Sequence, residues 1–439
     1  PCRSRPGSPK GDPGLFYFPK GDVIGMEWEQ GSMEALQRTV RRVWDRVPLT
    51  RGKMEQAGIT PDDIRRPEDL RRLPFTTKQD MRDAYPTGLL ACDKRDLVRF
   101  HASSGTTGKP TVVGYTKNDI ATWTECMANC LETAGVTADD TFQVILGYGL
   151  FTGALGFHYG AEAIGAAVVP TGGGFTERQL LLMEDLGTTV LTSTPSYALH
   201  LAELIRERNL RDRFPLRMVI LGGEAWSEAM RERIEKELDV VAIDSYGLSE
   251  IIGPGVAMEC GHRNGLHLNS RHFLAEIIDP VTGETLPDGE EGELVITTIT
   301  KEAMPLVRYR TRDLTRIIPE PCPCGRTGVR LARVKGRSDD MLIIRGVNVY
   351  PSQVEALLAR IPGLSLNYQL EISEKDYMKE LTVHCESDEL LDAEAAGKLG
   401  RTASKKLNEG LGIRVGFNLL VPGILERSSG KAVRIKKAA

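Results

Sequence analysis

Eight consecutive residues, Ser103-Ser104-Gly105-Thr106-Thr107-Gly108-Lys109-Pro110, bring four hydroxyls, two glycines and one ammonium into a single short stretch. Glycines let the backbone approach a ligand closely, and hydroxyls, amides and a cation together suit the oxygens of a phosphate chain. The stretch departs from the usual phosphate loop, because Pro110 follows Lys109 where that loop needs a Ser or Thr to hold magnesium. A flexible surface turn has the same composition, so the loop alone leaves both readings open.

Other side chains have definite chemistry. Glu250 is a hard oxygen donor of the kind magnesium takes beside phosphate oxygens, or else a solvated loop carboxylate. Asp313 can accept hydrogen bonds from two vicinal hydroxyls, as in a ribose, or serve as a turn residue. Cys322-Pro323-Cys324-Gly325 places two thiols in a turn; with Cys260 and His267 they make a Cys₃His set suited to tetrahedral zinc, with His262 as competing ligand and free buried thiols as the alternative. Tyr148, Phe151 and Gly153, beside Gly222-Gly223, offer an apolar slot with room for a ring, although aromatics in such a stretch also serve as core. Gly346 has no Cβ and so leaves room for a thin chain, or simply ends a strand. Lys431, in Ser428-Ser429-Gly430-Lys431 near the C-terminus, reads by composition as a solvated tail lysine.

The elements that must hold these residues follow from hydrophobic spacing. Short apolar runs at 142–146, 167–170, 189–193, 217–221 and 241–244 alternate with helical stretches at 177–185, 197–208 and 228–237. That alternation predicts an α/β domain with a largely parallel sheet, whose ligand crevice lies at the carboxyl ends of the strands. The spacing predicts further helices over 33–47 and 76–85. After Ile278, Asp-Pro and Pro-Asp-Gly turns separate β runs, 292–300 being the clearest strand, which predicts a β-rich subdomain. The charged stretch 333–340 precedes a last segment with its own strands (341–344, 381–386, 416–421) and helices (352–360, 392–407). The expected organisation is a disordered leader over 1–14, a large N-terminal domain over 15–336 with mostly parallel sheets and the β-rich subdomain, a hinge at 337–340, and a small mobile α+β C-terminal domain over 341–439. No internal repeat is visible.

Composition narrows the function classes. A chain of 439 residues exceeds one ordinary core, and 41% hydrophobic with 26% charged residues is the balance of a globular enzyme-sized protein. No apolar run approaches the roughly 18 residues of a membrane span. The net charge of −4, with basic residues scattered among acidic ones, offers no footprint for nucleic acid and points to small-molecule partners. Eight cysteines without framework spacing argue for reduced thiols, and the default expectation is a cytoplasmic protein.

The loop ending Gly108-Lys109-Pro110 is followed, in order, by Ser245-Tyr246-Gly247-Leu248-Ser249-Glu250, Tyr309-Arg310-Thr311-Arg312-Asp313-Leu314, Gly336-Arg337-Ser338-Asp339-Asp340 and Ser429-Gly430-Lys431. This series resembles that of adenylate-forming enzymes, the superfamily of acyl-CoA synthetases, peptide-synthetase adenylation domains and luciferases. Within it, Gly147-Tyr148-Gly149-Leu150-Phe151-Thr152-Gly153 and the runs 300–316 and 341–353 are similar to phenylacetate–coenzyme A ligases. The resemblance implies ATP, Mg²⁺ and coenzyme A as cofactors, an arylacetic acid, most readily phenylacetate, as substrate, and a homodimer.

The same resemblance implies roles residue by residue. Ser103, Ser104, Gly105, Thr106, Thr107, Gly108 and Lys109 would hold phosphates, and Gly223, Glu224, Ser245, Tyr246, Gly247 and Arg337 would contact the nucleotide. Ser249 would reach the α-phosphate or carboxylate, Glu250 would bind Mg²⁺, and Asp313 would hold the ribose. Tyr148, Phe151, Gly153 and Gly222 would line the ring pocket. Lys431 would bridge the carboxylate and α-phosphate until rotation about Asp339 withdraws it and brings Arg345-Gly346-Val347 to the pantetheine path. Some relatives are similar at Cys260, His267, Cys322 and Cys324, consistent with a structural zinc. Two other activities occur among similar sequences: adenylyl transfer to a deazaflavin-type cofactor, and loading of an acyl group onto a carrier protein.

Overall fold

A computed structural model describes residues 31–103, 110–339, 342–344, 347–375, 378–427 and 434–437. The chain opens with two helices. In α1 (Ser32–Arg46), Ala35, Leu36, Thr39, Val40 and Val43 recur at helical spacing and are buried; α2 (Pro48–Gln56) starts on Pro48, where a missing N–H is harmless. The helix expected over 76–85 shrinks to α3 (Lys78–Asp83). Thr76 is drawn away from it: its amide donates to the Arg308 carbonyl at 3.1 Å and its hydroxyl to the Val307 carbonyl at 2.7 Å, leaving Thr77 to cap the helix.

A hairpin, β1 (Leu97–Ala102) and β2 (Val112–Thr116), flanks the Ser/Thr/Gly loop. It leads into α4 (Lys117–Ala134), which opens on a Thr116/Asp119 capping box and stops at Gly135, φ 92°. The βα alternation follows: β3 (Thr141–Val144), α5 (Gly153–Ala163), β4 (Ala167–Val169), α6 (Thr176–Asp185), β5 (Val190–Ser193), α7 (Pro195–Glu207), β6 (Met218–Gly222), α8 (Glu228–Leu238) and β7 (Val241–Leu248). Then come β8 (Gly253–Glu259), β9 (Leu266–Leu268), β10 (Phe273–Ile278), β11 (Gly292–Thr298), β12 (Tyr309–Thr315), β13 (Arg330–Leu331) and β14 (Gly336–Arg337).

The main sheet has the order β13-β9-β8-β7-β6-β5-β3-β4. Strands β4, β3, β5, β6 and β7 are parallel, whereas β7, β8, β9 and β13 pair antiparallel. Strand order reverses at β3, which has β4 on one side and β5 on the other, and such a switch point opens a crevice beyond the carboxyl ends of the strands. A second, antiparallel sheet, β10-β11-β12-β14, is the β-rich part expected from the turn-separated runs.

Beyond Arg337 lie the hairpin β15 (Leu342–Ile344) and β16 (Val347–Val349), then α9 (Pro351–Leu358), β17 (Leu364–Lys375), β18 (Met378–Ser387), α10 (Ala393–Leu411), β19 (Gly416–Leu420) and β20 (Ile435–Lys437). The last four strands form a sheet of order β19-β18-β17-β20. The fold is therefore α/β, with a mixed sheet dominated by parallel strands, a β-rich sheet and a separate C-terminal α+β layer. One core surrounds Trp123, Phe142, Ile243 and Phe273; the other runs from Leu191 and Val219 through to Val349, Leu370 and Val383 of the C-terminal layer. Among the described residues no helix is long and apolar enough to cross a membrane.

Candidate active site

The loops at the carboxyl ends of β3, β6 and β7 bring together most of the described residues singled out by motif. The Tyr246 hydroxyl, near the end of β7, donates to Asp313 Oδ2 at 2.5 Å, and Arg337 Nη1 reaches Asp313 Oδ1 at 3.3 Å. Cross-strand register explains the second contact, since β12 and β14 place Asp313 directly opposite Arg337. Burial lifts the Asp313 carboxyl above its usual range, against the opposing pull of Arg337 and of the Tyr246 hydroxyl. Arg337 also grips Asp339 through two hydrogen bonds, of 2.8 and 2.9 Å, so the residue expected to act as pivot is tied to the nucleotide motif by a fork.

Two glycines here serve strand packing. A Cβ at Gly222 would lie 2.3 Å from the Ser245 carbonyl, and one at Gly247 2.2 Å from the Gly253 carbonyl. The missing side chain of Gly222 therefore makes room for β7 and not for a ring, so any contact with a bound acid falls to its backbone. Ser245 is buried, and Gly223 turns at φ 86°. Glu224 Oε1 accepts the Ser196 amide at the start of α7, at 2.7 Å.

Glu250 follows β7 and is 6% exposed. Two lysines without motif signature stand beside it. Lys78 Nζ, at the start of α3, lies 3.4 Å from Glu250 Oε1. Lys301 is buried, donates to the carbonyls of Glu250 and Ile251, and sits 4.9 Å over the Tyr115 ring. Burial pushes Lys301 down to about 8, against the pull of Asp119 and Glu250. Both pairings join segments remote in sequence, which no local pattern announces. The Ser249 hydroxyl is 3.0 Å from that of Thr152, so the loops after β7 and β3 touch.

The loop after β3 is open by comparison. Tyr148, Leu150 and Phe151 are 37, 56 and 50% exposed, and Phe175, on the facing loop, 74%. Gly149, Gly172 and Gly174 take φ of 133°, 73° and 77°, conformations that glycine adopts without strain. Gly153 begins α5, with Leu146 at van der Waals distance from where its Cβ would be. A chain of contacts orients the tyrosine: its hydroxyl is 3.0 Å from His158 Nδ1, and His158 Nε2 is 3.0 Å from Glu162 Oε1. Ser103 closes the base of the Ser/Thr/Gly loop, its amide donating to the Thr111 carbonyl. Ser104, Gly105, Thr106, Thr107, Gly108, Lys109, Arg345, Gly346 and Lys431, and the leader 1–14, lie outside the described residues.

On the far side of β8, Cys260, His267, Cys322 and Cys324 converge, their ligand atoms all within 4.8 Å of one another. Cys260 Sγ is 3.7 Å from Cys322 Sγ, and Cys324 Sγ is 3.5 Å from His267 Nε2. Tetrahedral zinc with ordinary bond lengths sets sulfur–sulfur edges at about 3.8 Å and sulfur–nitrogen edges at about 3.6 Å, so these two spacings fit the ion, whereas a disulfide needs about 2.05 Å. The cluster contains His267 and not His262. Burial, reinforced by Arg330 and Arg326, pushes the His267 imidazole down to about 4, which keeps it neutral.

Among the described residues, polar contacts join the C-terminal layer to the rest beside the apolar core they share. Glu355 Oε1 accepts the Ser227 amide at 2.9 Å, Arg233 donates to Asp388 at 2.9 Å, and the Ser352 hydroxyl donates to the Lys335 carbonyl.

Comparison with known proteins sets this geometry in context. A family model described as AMP-binding enzyme matches residues 47–300, and one described as AMP-binding enzyme C-terminal domain matches residues 346–438. The phenylacetate-coenzyme A ligase of Thermus thermophilus is 47% identical over 439 residues, covering 96% of this chain and 98% of that relative. Among solved structures, 2-hydroxyisobutyryl-CoA ligase in the postadenylation state with R3-HIB-AMP is 27% identical, with coverage of 96% and 94% and a TM-score of 0.88. The same ligase with 2-HIB-AMP and CoA, in the thioester-forming state, is 28% identical, with coverage of 93% and 89% and a TM-score of 0.69.

Proposed function

The chain belongs to the AMP-binding enzymes, in the phenylacetate–coenzyme A ligase family, and from that premise we propose that it joins phenylacetate to coenzyme A through an acyl-adenylate made from ATP. The observation that carries this reading is the 47% identity to a phenylacetate-coenzyme A ligase across 96% of the chain. In the first half-reaction a carboxylate oxygen attacks the α-phosphorus, the bond to the β-phosphate oxygen breaks, and pyrophosphate leaves. In the second, the coenzyme A sulfur attacks the acyl carbon, the thiol gives up its proton, and AMP departs with the anhydride oxygen.

Asp313 and Tyr246 receive the ribose and adenine, with Arg337 fixing Asp313 from the opposite strand. Gly223, Glu224, Ser245 and Gly247 supply the walls of the nucleotide cleft. Glu250 would hold magnesium, which would neutralise phosphate charge, and Ser249 would face the α-phosphate or carboxylate. Ser103 to Gly108 and Lys109 cradle the phosphates. Lys431 stabilises charge that develops as the carboxylate attacks, an interaction stronger in the transition state than in the ground state. Tyr148, Phe151 and Gly153, with the Gly222 backbone, take the aryl ring, and Gly346 lines the path of the coenzyme A arm.

We further propose an N-terminal domain over 15–336, a hinge at 337–340 and a C-terminal domain over 341–439 that turns between the half-reactions. The TM-scores of 0.88 and 0.69 against two states of one ligase, at nearly equal identity, support this reading, the greater likeness being to the ligase in its postadenylation state. The Cys₃His corner would hold structural zinc, a reading supported by the convergence of its four ligand atoms and by two spacings that match a tetrahedral edge.

The test is product analysis with phenylacetate, ATP and coenzyme A. Pyrophosphate, AMP and phenylacetyl-CoA are expected in equal amounts. Label from the α-phosphate of ATP ending on an acceptor in place of free AMP, or thioester formation only with a carrier protein, would overturn the reading.

A further inference from the structure

Glu355 is a buried carboxylate of the C-terminal domain that faces the N-terminal domain. It lies on α9 and is 3% exposed. Its two oxygens have different duties. Oε1 crosses to the N-terminal domain and accepts the Ser227 amide at 2.9 Å. Oε2 stays within its own domain, 3.4 Å from the Tyr368 hydroxyl and 3.6 Å from Arg434 Nη2. Arg434 in turn lies 4.3 Å over the Tyr368 ring and donates to the carbonyls of Leu366 and Tyr368, so the carboxylate is held rigidly from behind.

The receiving side is equally fixed. Ser227 caps α8, whose N-terminal end carries partial positive charge and favours a carboxylate. It belongs to the loop after β6, anchored two ways: Glu224 accepts the Ser196 amide, and the Trp226 indole donates to Asp244 at the end of the β7 apolar run, at 3.0 Å. The seat is therefore part of the wall that flanks the nucleotide motif. The Arg233–Asp388 and Ser352–Lys335 contacts are weaker candidates for a selective tie. Arg233 is shared between Asp388 and two carboxylates of its own domain, Glu203 and Glu237, so it stays paired whichever way the C-terminal domain sits. Ser352–Lys335 sits beside the hinge and can follow it.

We propose that Glu355 is a positioning residue of the first half-reaction: by accepting the Ser227 amide it seats the C-terminal domain on the nucleotide wall for adenylate formation, and it lets go for thioester formation. The proposal rests on the reading that the C-terminal domain turns at 337–340 between the two half-reactions. The Ser227–Glu355 bond spans that hinge in an arrangement more like the adenylate-holding state of a related ligase than its thioester-forming state, and a turn at 337–340 would part the two residues. Burial raises the Glu355 carboxyl, as expected of a group that depends on its partners for solvation.

The experiment measures the halves separately, acid-dependent pyrophosphate release for the first and reaction of preformed phenylacetyl-adenylate with coenzyme A for the second, with thermal midpoints recorded alongside. Glu355→Ala is expected to slow the first by about tenfold or more, as loss of domain placement does, and to leave the second within about twofold. Glu355→Gln keeps an oxygen for Ser227 but loses the pairing with Arg434, and is expected to slow only the first half, by less. Equal loss of both halves marks a merely structural residue and overturns the proposal, as does no loss in either. Lys431→Ala, run beside them, separates the two levels: if it slows both halves alike, the domain-turning reading itself fails, whereas a selective Lys431→Ala with a non-selective Glu355→Ala removes only the seat.

Discussion

Asp313, proposed to hold the ribose, is 8% exposed and gripped by Tyr246 and Arg337, whereas Tyr148, Leu150 and Phe151, proposed to face the acid, are 37, 56 and 50% exposed. The first region is made of strand ends whose register is set by backbone pairing, and its glycines exist so that strands can approach. The second is a loop at the reversal of strand order, with positive-φ glycines opposite and only the Tyr148–His158–Glu162 chain to orient it. Strands place groups more accurately than loops, and every substrate of such an enzyme shares the nucleotide while the acid varies. On the proposed roles, the rigid side would carry the common chemistry and the open side the choice of acid.

The largest expected effect tests the rigid side. Asp313→Ala leaves the Tyr246 hydroxyl and Arg337 without their shared acceptor, and kcat/KM for ATP is expected to fall by about a hundredfold or more. The loss should be the same for every acid tried; a loss that varied with the acid would erase the distinction between the two regions. On the open side, Phe151→Ala is expected to change the ratio of kcat/KM between phenylacetate and a bulkier aryl acid by about tenfold, within the ~1–3 kcal/mol that ring contacts supply, and to leave the KM for ATP within about twofold. Should the ATP constant move as far as the acid ratio, Phe151 is supporting the rigid side instead.

Much of the rigid region was legible in the chain because its residues lie in contiguous motifs. Tyr246, Ser249 and Glu250 are neighbours in sequence, and the runs 241–244 and 217–221 predicted the strands that carry them. The Cys-Pro-Cys turn was legible for the same reason, and geometry then chose His267 over His262. What stayed hidden is what only tertiary structure creates. Lys78 meets Glu250 across most of the N-terminal domain, Lys301 is a lone lysine in an ordinary strand-to-turn stretch, and Glu355 is one carboxylate among many in a helix. The helix α4 escaped notice because its buried face mixes Trp123, Cys126, Met127 and Cys130 with polar neighbours that blur the period. Thr76 shows the converse: a helical signal that a neighbouring strand overrode.

Two smaller effects sharpen the comparison by probing what both regions share. Cys322→Ser should lower zinc to well under one ion per chain and the thermal midpoint by roughly 5 °C, with the ratio between acids unchanged, because the corner braces β8 and β9 behind the rigid side. Full zinc content in the variant would place the ion elsewhere. Smallest is an acid effect at the opposite end of the sheet. Asp140 precedes β3 and bonds Arg217, Thr189 and the Thr137 amide, at the starts of β6 and β5. Burial alone would raise its pKa, but these partners outweigh it and bring the carboxyl from 3.8 to about 2. A group depressed in the folded state contributes stability above its unfolded value and loses it as pH falls through the folded one. Urea midpoints of the wild-type protein should therefore drop between pH 4 and 2 more steeply than those of Asp140→Asn; parallel curves would remove Asp140 from the account.

The mixed sheet also dictates an order of assembly during synthesis. Its parallel strands emerge from the ribosome already interleaved with the helices that cover them, but β7 has one edge paired to β6 and the other waiting for β8, which in turn waits for β9 and β9 for β13. Until Leu331 has left the exit tunnel the nascent sheet presents an unfinished edge, and unfinished edges recruit the wrong partners. The cysteine corner, whose last two thiols precede β13 by a few residues, can close only at that same late moment. A translation pause placed just after β7 would prolong the exposed state, and one placed after β13 would not.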